Sequence, residues 1–216
     1  RTKAGSMKQI YVFFVFLLLS LSGIAGADVS DWNAELIQSA ATGSLAGVDD
    51  ALNKGADINA KGINNSGATA LMWASNNGHV EVVKLLLGRG ADVNIQRTDD
   101  RSTALMWASQ NGHSEIVKML LENGTEINAQ TEDRATALML ASQNGHCGIV
   151  KMLIEMGADV NVHRISNNVT ALWLAAQNGH IDIIKMLVEK GADVNVQRTS
   201  DCATALMWAA QNGNLE

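Results

Sequence analysis

"TALMWASQNGH", running from Thr103 to His113, recurs along the chain with few changes. "TALMWASNNGH" starts at Thr69, "TALMLASQNGH" at Thr136, "TALWLAAQNGH" at Thr170 and "TALMWAAQNG" at Thr204. The spacing between these threonines is 33 or 34 residues, the period of a stacked-repeat architecture. A second phrase follows each of the first four: "GADVN" at Gly90, "GTEIN" at Gly124, and "GADVN" at Gly157 and Gly191. One more copy, "GADIN", sits at Gly55. From opening threonine to closing asparagine the distance is always 25 residues; from asparagine to the next threonine it varies between 8 and 10. The unit has a rigid body and an elastic connector.

The body predicts two short helices. Thr103 suits an N-cap, its hydroxyl accepting an orphan amide N–H. "ALMWASQN" follows, with small alanine and serine residues that admit a close neighbour, and Gly112 ends it in a left-handed turn. "SEIVKMLLEN" is the second helix. Ile116, Val117, Leu120 and Leu121 form one apolar stripe. Glu115 and Lys118 are spaced to pair on the outer face. Connectors such as "IQRTDDRS" and "AQTEDRA" are polar and predict protruding turns.

These phrases resemble the ankyrin repeat family, whose unit reads T-P-L-H-x-A-A-x-x-G-H, then V-x-x-L-L, then G-A-D-x-N. The chain keeps the threonine, the leucines (Leu71, Leu105, Leu138, Leu172, Leu206), the glycine and the G-A-D-x-N loops. It departs at the family's proline, here Ala70, Ala104, Ala137, Ala171 and Ala205. It departs again at the family's histidine, here Met72, Met106, Met139, Trp173 and Met207. The resemblance covers about residues 33–216 and implies an all-α solenoid of stacked helix-turn-helix units with protruding turns. Residues 28–61 are expected to form a divergent capping repeat. Residues 62–216 hold four full repeats and a fifth that stops inside its second helix, so the natural protein is expected to continue past Glu216. Repeat three reads "CGIV" where its neighbours read "VEVV", "SEIV" and "IDII". Gly148 weakens that helix by about 1 kcal/mol relative to alanine, and Lys151 lacks the acidic residue its counterparts have.

The chain of 216 residues has a formal charge of −6, and 13 basic residues face 22 acidic ones once residues 1–27 are set aside. Such a surface repels phosphate backbones, which disfavours nucleic acid. Residues 7–27, "MKQIYVFFVFLLLSLSGIAGA", read as a secretory signal peptide. Lys8 supplies the positive start, Ile10 to Leu21 the apolar run, and Ala25-Gly26-Ala27 a small-residue site that places cleavage before Asp28. The run is short of the about 20 residues that a spanning helix needs. Membrane association is therefore expected only if the segment stays on. Residues 1–6 read as upstream sequence or a cloning scar. The expected location is outside the cytoplasm, either periplasmic or secreted. Cys147 and Cys202 lie two units apart, too far for a disulfide, and are expected to be free thiols.

The histidines at 79, 113, 146 and 180 recur at one position. Adjacent units stand about 8–10 Å apart, so one metal could not join two of them, and a bond from each ring to backbone is the expected role. Trp73, Trp107 and Trp208 share a helical position, with Leu140 in repeat three and Trp173 one place earlier. Packing is the expected role here too, against a ligand-binding ladder as the alternative. The methionines read as gap fillers. No nucleophile motif or phosphate loop is present, so no catalytic, metal or cofactor site is expected. Asn64, Asn123 and Asn168 open glycosylation tripeptides that matter only in a eukaryotic secretory pathway.

What varies is the connector set. In the family, partners are usually held by these turns and by the inward face of the first helix. Carried over by position, the resemblance implies partner contacts at Arg97, Asp99, Asp100, Arg101, Glu132, Asp133, Arg134, His163, Arg164 and Arg198. On the inner helices it implies Asn76, Asn77, Gln110, Asn111, Gln143, Asn144, Gln177 and Asn178. The expected function is that of a monomeric, exported scaffold binding another protein. Two alternatives stand beside it: the targeting arm of an enzyme whose catalytic domain lies beyond Glu216, and a membrane-anchored scaffold.

Overall fold

The computed structural model describes residues 29–62 and 67–211. The expected signal segment, the Asn64 tripeptide and the expected second helix of the fifth repeat lie outside the described residues. Eleven helices are present among those described. The first unit pairs α1 (Val29–Thr42) with α2 (Leu45–Asn53). Then follow α3 (Ala70–Asn77) with α4 (Val80–Gly88), and α5 (Ala104–Asn111) with α6 (Ser114–Glu122). Next come α7 (Ala137–Gln143) with α8 (Cys147–Glu155), α9 (Ala171–Gln177) with α10 (Ile181–Glu189), and finally α11 (Ala205–Gln211).

Each inner helix begins where its sequence says it must. Thr69, Thr103, Thr136 and Thr170 are extended N-caps whose hydroxyls accept the amide three residues on, at 3.3–3.4 Å. Thr204 repeats the bond to the Met207 amide at 3.3 Å. The alanines that stand where the family has proline begin the helices without disturbing this cap. The glycine at the far end is required twice over. Gly78 and Gly112 are left-handed, with φ of 78° and 81°, and the imidazole of the following repeat lies against each. A Cβ on Gly78 would stand 2.6 Å from Cε1 of His113.

The inner helices stack in one row and the outer helices in another, the inner contacts being the more extensive. Ala74, Ala108, Ala141 and Ala175 are fully buried in the inner row; their small side chains let backbones approach. Leucine and isoleucine hold the outer row further apart. One continuous core runs from Leu36 and Ile37 through Leu86, Leu120 and Leu153 to Leu187. Met72, Met106 and Met139 fill it at 0–1% exposure.

Two expected ion-pair arrangements are corrected. Glu115 reaches back to Lys84 of the preceding unit at 3.8 Å, and Lys118 turns to Glu122 at 3.8 Å. Lys151 likewise has an acid, Glu155 at 4.0 Å. On a short exposed helix the long lysine side chain reaches (i, i+4) or the next layer as readily as (i, i+3).

Candidate binding surface

The repeated residues turn out to be tied from unit to unit. Nε2 of His79, His113, His146 and His180 lies 3.0–3.3 Å from a backbone oxygen of the preceding unit: Ala41, Asn76, Gln110 and Gln143. The loop asparagines Asn59, Asn94, Asn128 and Asn161 accept the amide of the next loop's acidic residue, at 2.7–2.9 Å. The tryptophans pack edge-to-face in two separate pairs, Trp73 with Trp107 at 5.4 Å and Trp173 with Trp208 at 5.6 Å. Leu140 interrupts any continuous ladder. Cys147 and Cys202 are free and exposed. No cluster of three or more metal-ligating side chains occurs among the described residues. No helix there is long and apolar enough to cross a membrane.

The connectors form hairpin-like turns. Arg97, Arg164 and Arg198 each donate an amide to a carbonyl five residues on, at 2.8, 3.0 and 2.9 Å. The residue two before each capping threonine is left-handed: Gly67, then Arg101 (φ 62°), Arg134 (61°), Asn168 (60°) and Cys202 (55°). Successive turns are stitched together. Glu132 N donates to Asp100 O at 3.0 Å, Ile165 N to Asp133 O at 3.2 Å, and Thr199 N to Asn167 O at 3.1 Å.

Within this frame the candidate residues divide by what holds them. The Arg97 guanidinium lies 3.2 Å from Asp99 and 3.4 Å from Asp100, with its carbon 5.7 Å from the Trp107 ring. Arg198 pairs with Asp201 and stands over two indoles, 4.9 Å from Trp173 and 5.2 Å from Trp208. Its bond to Asp201, assisted by the Ala203 amide, holds that carboxyl below its ordinary range against desolvation. Arg101 and Arg134 donate to Gln96 and Gln130 at 2.9 and 3.2 Å. Asp133 accepts the Ser166 amide at 2.7 Å and hydroxyl at 2.8 Å. Desolvation opposes its charge, but these bonds and the nearby Arg164 outweigh it and keep its pKa low. His163 pairs through its backbone with Thr170. Glu132 is exposed, and Arg164 has no carboxylate partner within salt-bridge distance among the described residues.

On the inner helices the asparagines serve the scaffold. Asn77 donates to Ala41 O at 2.8 Å, Asn144 to Leu140 O at 2.8 Å and Asn178 to Leu174 O at 2.8 Å. Asn111 donates to Trp107 O at 2.9 Å and to Asn76 Oδ1 at 3.0 Å. Gln110, Gln143 and Gln177 are exposed. Each sits three residues beyond position Trp107, Leu140 or Leu174, and so on the same helical face. Two of the glycosylation asparagines are engaged as well, Asn123 with Met119 O and Asn168 with Gln197 O, both at 2.8 Å. One surface residue that sequence reasoning passed over is Ile165, 66% exposed at a turn tip; its signal was an isoleucine where the sibling turns carry Thr98, Thr131 and Thr199.

The sequence matches the family profile described as ankyrin repeats (3 copies) over residues 12–97, 36–131, 95–164 and 138–216. These overlapping matches take in every unit of the stack, from the divergent first pair to the last described helix. With the capping threonines, the paired helices and the cross-unit histidine and asparagine bonds, they lead to one conclusion: the chain belongs to the ankyrin-repeat family.

Proposed function

We propose that this chain is an exported, monomeric scaffold that binds a partner protein through its turns and its concave inner-helix face. The observation that supports this reading is the division of labour among its polar side chains. The repeated histidines, asparagines and threonines are taken up by bonds within the stack. Gln110, Gln143 and Gln177 are exposed on the inner helices, and Glu132 is exposed on a turn. A solenoid of this kind offers an extended, preorganised surface, so a partner binds without the cost of ordering it.

The test is cross-linking capture with the intact chain and with a variant carrying Gln110→Ala, Gln143→Ala, Gln177→Ala and Glu132→Ala. The expected result is loss of the captured protein with an unchanged circular dichroism melt. Capture at wild-type level with an intact fold would overturn the assigned surface. Export rests on residues 7–27 and is tested separately by sequencing the mature N-terminus. Asp28 is the expected first residue, and retention of Met7 would favour an anchored scaffold.

A further inference from the structure

The turn between α8 and α9, residues 163–168, differs from its siblings in three respects. Its charge is the first. The turn at 96–101 balances Arg97 and Arg101 against Asp99 and Asp100, and the turn at 197–202 balances Arg198 against Asp201. The turn at 130–134 sets Arg134 against Glu132 and Asp133. The sequence "HRISNN" holds Arg164 and no acid, so it alone of these four carries a net positive charge, on a chain of formal charge −6.

The second is Ile165. It projects at 66% exposure from the position that threonine holds in the other three turns. The third is the state of the guanidinium. Nε of Arg164 is buried without a hydrogen-bond partner. Arg97 shares that trait, but its outer nitrogens reach two aspartates. The acid nearest in effect to Arg164 is Asp133, whose carboxylate oxygens are occupied by Ser166.

From this juxtaposition we infer that the turn at 163–168 anchors an acidic, aliphatic segment of the partner protein. A partner carboxylate meets Arg164, whose planar fork suits that group. A partner aliphatic side chain covers Ile165 and removes it from water. Because the turns at 96–101, 130–134 and 197–202 are neutral or acidic, and Lys61 of the first connector is engaged with Gln96 O at 2.9 Å, an acidic segment has one favourable landing point, which fixes its register along the rod. This inference rests on the protein-binding reading above and names the chemistry of its partner.

The experiment is selection of a random peptide display library on the immobilised full chain, followed by affinity measurement of the enriched peptides. The expected outcome is enrichment of sequences that place aspartate or glutamate beside leucine, isoleucine or phenylalanine. Ile165→Thr and Arg164→Gln, which copy residues of sibling turns and so preserve the fold, should each weaken those peptides about tenfold. Lys185→Gln, exposed on the outer helix α10 and away from the turns, should leave them unchanged. Enriched peptides without acidic bias, or peptides that bind both turn variants like wild type, overturn the inference. If such peptides are lost instead on the Gln110, Gln143 and Gln177 variant, the scaffold reading survives without this anchor. A library that yields no enriched peptide also overturns the anchor, leaving the scaffold reading to the cross-linking result.

Discussion

Gly148→Glu should stabilise the chain, and the structure allows the gain to be apportioned. Gly148 lies in the first turn of α8, exposed, and an added Cβ there meets nothing within 4 Å. The sibling helices carry Glu81, Glu115 and Asp182 in that turn. Three contributions follow. Glycine costs about 1 kcal/mol relative to alanine in a helix, and glutamate recovers roughly 0.5 of it. A carboxylate at a helix N-terminus adds about 0.3–1 kcal/mol. Glu115 reaches Lys84 of the preceding unit at 3.8 Å, and a glutamate at 148 would face Lys118 in the same way, for about 0.2–1 kcal/mol at an exposed site. Together these give about 1–2.5 kcal/mol, or about 2–10 °C in melting temperature for a chain of this size. The assay is thermal melting of wild type, Gly148→Glu and Gly148→Ala at low and at high salt. Alanine isolates propensity and should gain about 1 kcal/mol at either ionic strength. The glutamate's charge-dependent share should fade in about 1 M salt, where the Debye length is about 3 Å. A glutamate variant no more stable than wild type at low salt, or an alanine variant that melts lower, would refute the reasoning.

Three further outcomes follow from single positions. Ser75, Ser109 and Ser142 are fully buried with hydroxyls that have no hydrogen-bond partner, and Ala176 holds the same place in the next unit. Ser109→Ala should therefore stabilise the chain by about 1 kcal/mol, raising the urea midpoint, since an unsatisfied buried hydroxyl is costly; a lower midpoint would mean that the hydroxyl is bonded. Cys202→Gly places glycine in a left-handed position, φ 55°, and should add about 1 kcal/mol by removing the Cβ strain; an unchanged or lower melting temperature contradicts this. Asp133 has a carboxyl pKa below its unfolded value of about 3.9. The folded state thus binds fewer protons, so its contribution is whole above that pH and disappears as pH falls through the folded pKa. Urea midpoints of Asp133→Asn and wild type between pH 7 and pH 2 should converge at the acid end, and a constant gap would remove Asp133 from the account.

The fold was legible because its signals are local and recur. A threonine before an apolar helix, a glycine after it and a fixed interval to the next asparagine fix the unit, and recurrence fixes the stack. The role of the histidines could be stated as a backbone bond, though not that it crosses to the preceding unit. Side-chain reach was harder to read. Glu115 was expected to serve its own helix and instead serves Lys84, because separation between stacked helices is not written in a one-dimensional spacing. The surface was partly legible for the same reason. Arg97 and Arg198 resemble exposed contacts in sequence, yet each is held by its own turn's acid and by indoles from the helices below. The left-handed residue in each turn was visible only as Gly67, which occupies that position where Arg101 and Arg134 tolerate it.

Repetition and variation therefore have different physical causes in this chain. The histidines and loop asparagines are repeated because each satisfies a group in the adjacent unit, and the threonines because each caps its own helix. His113 bonds backward to Asn76 O while Gly112 leaves room for His146; changing either alters two units. The turns are bound by a weaker rule. They need a closing backbone bond, a left-handed residue before the cap and one amide given to the previous turn, and none of these specifies the side chains at the tip. The turns beginning at Arg97, Arg164 and Arg198 close over the same span, so each can carry a different tip on an identical base. Thr98, Ile165 and Thr199 occupy equivalent, exposed places on that base, with Thr98 lying against Gly67 of the preceding turn. Chemistry offered to a partner can change there at little cost to the stack, so the proposed anchor falls on Ile165 and on Arg164, whose own turn holds no acid, while the repeated phrase bears on stability.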